Sequence, residues 1–309
     1  MNNELNKNDE QNPEEEIYST MPTGKAAIYG LIVILFLFQF GGGILFLLIF
    51  GADLTKANVN ALRLFNVAGQ ILFILAPAII LAKLVYVENI STILRIKIPK
   101  SKEILVFVLG LILVIPLLQS LIYVQNYLIQ HFADAIPFFQ YLKDFADNLD
   151  KMMENSYGII LNANSIFEMI FVILVVSVTP AICEEIFFRG FTQKSLELSV
   201  KPFKAILITS FAFALYHFNP YGLIALTLLA MYLGFAAFQS KSIVIPIILH
   251  FINNFISIVS YYIWGNDELM NTAIVKPEEF TLHIFSFILL TALFFLFLFY
   301  LDKNYYKFQ

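Results

Sequence analysis

The chain has little of what soluble and secreted domains rely on. Of its 309 residues only 14% are Asp, Glu, Lys or Arg, against roughly 25% in soluble domains. Hydrophobic residues make up 59%, and a soluble fold this apolar would have nothing to present to water. A single cysteine, Cys183, excludes an internal disulfide framework. Cys183 precedes two carboxylates, which oppose thiolate formation, so it reads as a small apolar side chain in a packed helix. The N-terminus lacks the basic region and compact apolar core of a secretory signal. Residues 1–24 instead carry Glu4, Asp9, Glu10, Glu14, Glu15 and Glu16 among many Asn, and read as a disordered acidic tail. A net charge of -4 with scattered basic residues leaves no footprint for nucleic acid. No internal duplication of the transporter kind is visible, and no His-Glu-x-x-His pair occurs.

Long apolar runs are present instead. They fall at about 27–50, 65–87, 104–125, 164–188, 203–218, 222–239, 243–263 and 281–300. Most match the roughly 17–25 residues that a bilayer span requires. The expected fold class is therefore an all-α, polytopic membrane bundle of about eight transmembrane helices. Gly41, Gly42 and Gly43 give the first span a thin face where a neighbour can approach. Pro77 and Pro116 should kink the second and third. The connection 126–163 interleaves Asp134, Asp144, Asp147, Asp150 and Glu154 with aromatic residues. It reads as a loop or a short interfacial helix around Phe138–Phe145. Lys and Arg gather in 83–103, in 189–204, at Lys241 and at Lys303 and Lys307, whereas 126–163 and 264–280 are acidic. With eight spans, the positive-inside rule puts both termini in the cytoplasm. The expected organisation is a tail over 1–24, three spans and an outer loop over 25–163, and five spans over 164–309 with the functional core at 164–263.

Against this background six residues stand out. Glu184, Glu185, Arg189, His217, His250 and Asn254 lie in or beside apolar runs, where polar and ionisable groups are costly and mark a site by default. Glu185 and Arg189 are four apart and share a helix face, so they should pair. Glu184 is then left to face a cavity as general base. His250 and Asn254 are likewise four apart. The bland alternatives are an interfacial histidine at 217 and a hydrogen-bond cluster that only holds helices together. A ruler of about 1.5 Å per residue sets Glu184 and His250 about 10 Å from the expected cytoplasmic ends of their spans and His217 about 20 Å in. Two chemistries fit the set. Glu184, His217 and His250 could hold zinc. Without a metal, Glu184 would activate water, and the histidines and Asn254 would stabilise the oxyanion.

The pattern Glu184-Glu185-x-x-x-Arg189, Phe213-x-x-x-His217, His250-x-x-x-Asn254 resembles the CPBP family. That family comprises type II CAAX prenyl proteases and bacteriocin-processing or self-immunity proteins, formerly grouped as Abi. The resemblance covers about 165–262, with Gly234-Phe235-Ala236-Ala237 matching a small-residue stretch between the two histidine motifs. It implies an eight-helix intramembrane endopeptidase whose buried polar site opens to the cytoplasm. Glu184, His217, His250 and Asn254 would be catalytic, with Glu185 and Arg189 in support. It also implies water activation by glutamate with no metal favoured; zinc is the alternative cofactor. The implied partners are the lipid bilayer and a peptide or membrane-protein substrate. The Asn-, Lys- and Ile-rich composition suggests an AT-rich bacterial gene and hence the bacterial cytoplasmic membrane, where a leader peptide or membrane protein suits better than a prenylated tail. The rival expectations are a non-catalytic immunity or scaffold protein, a zinc-dependent membrane protease, and a transporter with a polar relay.

Overall fold

The computed structural model describes residues 17–51, 57–88, 90–264 and 276–309. The expected acidic tail lies mostly outside the described residues; Ile17 and Met21 pack against the apolar core beside Tyr86. The long helices are α1 (Thr23–Phe50), α2 (Val59–Val85), α3 (Ser101–Ala135), α4 (Pro137–Leu161), α5 (Ile166–Glu197), α6 (Pro202–Tyr216), α7 (Leu223–Ser240), α8 (Val244–Trp264) and α9 (Phe280–Asn304). Seven of these segments are long and apolar enough to cross a membrane, and no strand occurs among the described residues. The expected fifth span, α6, has only 15 residues. At about 22 Å it is shorter than a hydrocarbon core of about 30 Å.

Two expectations of length change. The run expected at 104–125 continues to Ala135, and the connection after it is a 25-residue helix, α4, and not a loop or a short helix. Ile136 between them is extended, as a residue before proline must be, and Pro137 opens α4 where its missing N–H costs nothing. The run expected at 164–188 continues as α5 to Glu197, because the polar residues beyond Arg189 find partners inside the bundle. Gln193 donates to the carbonyl of Gly234 (2.9 Å) and to Glu197 (2.8 Å).

Hydrogen bonds between segments distant in sequence define the two ends of the bundle. At one end Thr20 donates to the Val85 carbonyl (2.9 Å), Ser242 to the Lys97 carbonyl (2.5 Å), Lys100 to the Gln309 carbonyl (2.8 Å) and Tyr305 to Glu103 (2.7 Å). At the other, Arg63 donates to the carbonyls of Ile160 and Asn162, Tyr262 to the Leu161 carbonyl, Gln125 to the Tyr221 carbonyl, and the Tyr221 hydroxyl to Asp147. The first end carries Lys97, Lys100, Lys102, Lys201, Lys204 and Lys241 and is the basic end. The second carries Asp134, Asp144, Asp150, Glu154, Glu278 and Glu279 and is the acidic end.

Two apolar clusters hold the helices together. One joins α1, α2 and α5 through Ile34, Ala78, Ala82, Phe187 and Phe191. The other joins α3, α7, α8 and the end of α9 through Phe107, Leu111, Leu233, Leu249 and Leu301. Gly41–Gly43 is not a place of close approach: an added Cβ there would find ordinary contacts or open space. Neighbours come closer at Gly30, where a Cβ would come within 2.6 Å of Phe191, and at Gly110, where it would overlap the Tyr232 hydroxyl and lie 2.6 Å from Phe297.

Candidate functional site

Both glutamates lie on α5 between two stretches of widened, π-type turns, Leu174–Val178 and Ile186–Thr192. Such turns recur at functional sites because they re-aim side chains without ending the helix. The first of them runs into Pro180, which has no N–H. In a regular α-helix that N–H would serve the carbonyl of Val176. Asn254 of α8 donates to the Val176 carbonyl instead, at 3.0 Å. A proline in one span and an asparagine in another are thus two halves of one hydrogen-bond solution. Asn254 keeps a second amide N–H beyond this bond, and its oxygen accepts from Asn253 (3.2 Å).

Glu185 is fully buried, and one of its oxygens, Oε1, accepts two hydrogen bonds: from Arg189 (2.8 Å) and from Nδ1 of His250 (2.7 Å). The expected Glu185–Arg189 pair is present, and His250 joins it. Arg189 also reaches the Ala230 carbonyl (3.5 Å) and lies over the Phe213 ring, 4.4 Å from its centroid. A carboxylate, a guanidinium and an aromatic face thus meet where water is excluded, the setting in which charge-assisted bonds and cation–π contacts are strongest.

Glu184 is held separately. Nε2 of Gln70, from α2, donates to its Oε1 at 2.9 Å, and both residues are buried. Oε2 of Glu184 has no hydrogen-bond partner among the described residues. Gln70 was not among the residues singled out from the sequence. Its one signal was an amide inside an apolar run, followed at once by a π-type turn, Ile71–Leu75.

The two histidines flank Phe213, with ring centroids 4.5 Å (His217) and 5.9 Å (His250) from it. Nδ1 of His217 lies 2.8 Å from the Phe213 carbonyl. A carbonyl only accepts, so that nitrogen carries the proton, and in the neutral ring Nε2 is the acceptor. Nδ1 of His250 faces a carboxylate, so it too donates. In both rings Nε2 is the nitrogen left for chemistry. The depth mismatch expected from the sequence narrows: because α5 runs to Glu197, Glu184 sits about 20 Å from that end, as far in as His217.

The arrangement therefore brings Glu185, Arg189, His250 and Phe213 into direct contact, sets His217 against the same ring, and ties Asn254 one turn along from His250. It does not gather Glu184, His217 and His250 into a ligand set: no three His, Cys, Asp or Glu among the described residues come together closely enough to hold a metal ion.

Toward the basic end the packing is dense. Residues Phe187 to Gln193 are all buried. Beneath them Arg95, in the left-handed backbone region at φ 55°, donates to the carbonyls of Arg189 (3.0 Å) and Ala237 (3.1 Å) and to Glu197 (2.6 Å). Toward the acidic end the surroundings are polar and partly open, with His217, Asn219, Asn253 and Asn254 all half-buried.

Comparison with curated proteins and with solved structures gives no match. Residues 166–256 match the family model described as Type II CAAX prenyl endopeptidase Rce1-like. That stretch holds both glutamates, Arg189, both histidines and Asn254, and the chain carries an Rce1-like, CPBP-type (CAAX-protease-like) domain over this part of its length.

Proposed function

We propose that this protein is an intramembrane endopeptidase that hydrolyses peptide bonds with water activated by Glu184. The observation that carries the reading is the unequal treatment of the two adjacent glutamates. Glu185 is paired with Arg189 and accepts a hydrogen bond from His250. Glu184 is fixed through one oxygen by the uncharged amide of Gln70 and enters no ion pair among the described residues, while Oε2 is without a protein partner in both carboxylates. A general base needs that combination of fixed position and free lone pair.

In the proposed reaction Glu184 Oε2 takes a proton from water as the water oxygen bonds to the scissile carbonyl carbon. His217 Nε2 accepts the other water proton as a hydrogen bond and orients the attack. The carbonyl oxygen becomes an oxyanion, which the spare N–H of Asn254 and, in its protonated ring, Nε2–H of His250 would stabilise. The C–N bond then breaks, and the proton held by Glu184 passes to the leaving amine. Glu185 and Arg189 act through His250, fixing the orientation of its ring. The substrate is a peptide or membrane protein held in the bilayer, and the protein resides in a bacterial cytoplasmic membrane with its basic end and both termini in the cytoplasm.

The test is cleavage of a quenched-peptide library by the full chain in lipid, with wild type, Glu184→Gln and a chelator-treated sample side by side. Wild-type cleavage that falls at least 100-fold in the variant, with the variant still folded and inserted, is the expected result. Normal cleavage by Glu184→Gln would overturn the mechanism. Loss on chelation, reversed by zinc, would move the reading to a metalloenzyme. No cleavage by wild type would favour a scaffold or immunity role.

A further inference from the structure

We infer that α4 is a membrane-surface helix, seated in the leaflet at the acidic end of the bundle by a stripe of aromatic and aliphatic side chains, and that the partner this stripe fits is the lipid itself. The seat is independent of the peptidase reading, and α4 lies outside the family-matched stretch.

Depth comes first. α7 runs for 18 residues back from Lys241 at the basic end, about 27 Å at 1.5 Å per residue. Tyr221, just before its start, therefore stands near the far edge of a hydrocarbon core of about 30 Å. Its hydroxyl donates to Asp147 and fixes the middle of α4 at that level. At the end of α4 the Leu161 carbonyl accepts from Tyr262, which by the same ruler lies about 27 Å along α8 from Val244. Two well-separated points of α4 thus sit at one depth. The helix lies along the membrane plane, at the boundary between acyl chains and headgroups.

The faces of α4 are the inverse of those of a helix on a soluble core, whose apolar stripe points inward. Lys143, Asp147, Asp150 and Glu154 fall within an arc of about 60° at roughly 100° per residue, and all four are half-buried. Phe138, Tyr141, Leu142, Phe145, Leu149 and Met152 share another arc, of about 100°. All of these but Leu149 are exposed, Tyr141 by 73% and Met152 by 68%. A contiguous apolar stripe left uncovered marks an interaction surface.

Continuity and composition make the bilayer the occupant. The stripe carries on from the outer surface of a span: Leu128 and Phe132 are exposed on α3, the Phe132 ring lies 5.9 Å from that of Phe139, and the Phe138 ring is 5.8 Å further on. Phenylalanine and tyrosine rings at the membrane boundary are what an interfacial belt is made of. Charge contributes little, because α4 sets Lys143 and Lys151 against Asp144, Asp147, Asp150 and Glu154. Anionic headgroups therefore gain nothing over zwitterionic ones. By the positive-inside rule the lysine-rich end is cytoplasmic, which makes this leaflet the outer one. Through Asp147 and Tyr221 it holds the turn that follows His217 at a set depth.

The experiment is a fluorescence depth measurement on the full chain reconstituted in vesicles. The chain has a single tryptophan, Trp264, and Trp264→Phe gives a silent background. Phe145→Trp and Met152→Trp each report the stripe, and Lys151→Trp reports the exposed polar side. Each variant that elutes like wild type is measured in phosphatidylcholine brominated in the upper acyl chain, with and without phosphatidylglycerol, and separately with aqueous acrylamide. The expected result is that F145W and M152W lose roughly half their emission or more to the brominated lipid, as residues of an interfacial belt do, to the same extent with and without phosphatidylglycerol, whereas K151W is quenched mainly by acrylamide. Quenching of F145W and M152W by acrylamide and not by lipid would put the stripe in water and overturn the inference. Protection from both quenchers would put protein on the stripe, a second copy included, and overturn it too. Lipid quenching that needs phosphatidylglycerol would replace the apolar seat with a charge-driven one.

Discussion

Gln70 and Glu184, 114 residues apart in the chain, meet through a single hydrogen bond of 2.9 Å inside the bundle. The bond joins α2, which lies outside the family-matched stretch, to the glutamate that the peptidase reading makes the base. It fixes Oε1 of Glu184 and directs Oε2 away from the amide. Gln70 is thus a positioning residue for Glu184.

Gln70→Leu should lower kcat by about 10- to 100-fold, because removing the donor leaves a buried carboxylate oxygen unpaired at a cost of about 1–3 kcal/mol. KM should change little, since Gln70 acts through Glu184. Steady-state kinetics separates the two parameters, and a merely structural role would show as lost folded protein with kcat per folded molecule intact.

Arg189→Ala should destabilise the bundle by about 3–5 kcal/mol, because Glu185, also fully buried, would lose its cation. Replacing both together, Glu185→Leu with Arg189→Met, should cost less than Arg189→Ala alone, since no charge is then stranded. Denaturant unfolding in mixed micelles compares the three. Activity should be lost in the double variant, where His250 loses the carboxylate that holds its Nδ1.

Gly110→Ala should reduce folding yield and stability by about 1–3 kcal/mol through overpacking. The added methyl would overlap Tyr232, whose hydroxyl donates to the Phe107 carbonyl at 2.6 Å, and press on Phe297. Gly43→Ala meets nothing within 4 Å and should leave the thermal midpoint unchanged. If both variants behaved alike, the close α3–α7–α9 contact would be wrong.

The tie between α4 and the turn 217–222 should depend on pH. Burial alone would raise the Asp147 pKa, but hydrogen bonds from Lys143 and Tyr221 and the nearby lysine charges outweigh it and hold the group below its ordinary value of 3.8. A depressed folded-state pKa adds stability that is complete above 3.8 and disappears as pH falls through the lower folded value. With the Lys143–Asp147 pair partly exposed, the effect is about 1 kcal/mol or less. Hydrogen exchange across α4 should show protection that is flat from pH 7 to about 4 and falls below it. Asp147→Asn should show the lower protection throughout, and a wild type that matched the variant at neutral pH would remove the tie.

Much of this was legible in the sequence for a simple reason: apolar length reports spans, and charge inside apolar length reports cost. The Glu185–Arg189 pair followed from spacing of four on one helix. What was hidden depends on contacts between helices. That His250 bonds to Glu185, and that Asn254 answers the proline at 180, requires knowing how α8 lies on α5. Gln70 looked like one amide in a hydrophobic run until α2 met α5. The full extent of α4 was missed because its aromatic and acidic residues satisfy an amphipathic helix and a polar loop equally well. The extension of α5 to Glu197 was missed because its polar last turns resemble a cytoplasmic connection unless Arg95 is known to wait beneath them.

Arg95 also sets a schedule. Its partners Arg189, Glu197, Ala237 and Ile243 lie on segments made later, and Glu197 alone is 102 residues downstream. At about 5–20 residues per second, a ribosome takes roughly 5–20 s to deliver that carboxylate, and longer to deliver the rest. Until then the guanidinium lacks the partners that it has in the folded bundle. The first half of the chain is a structure in waiting, and the basic end closes only when the last of its strands of backbone has been threaded past it.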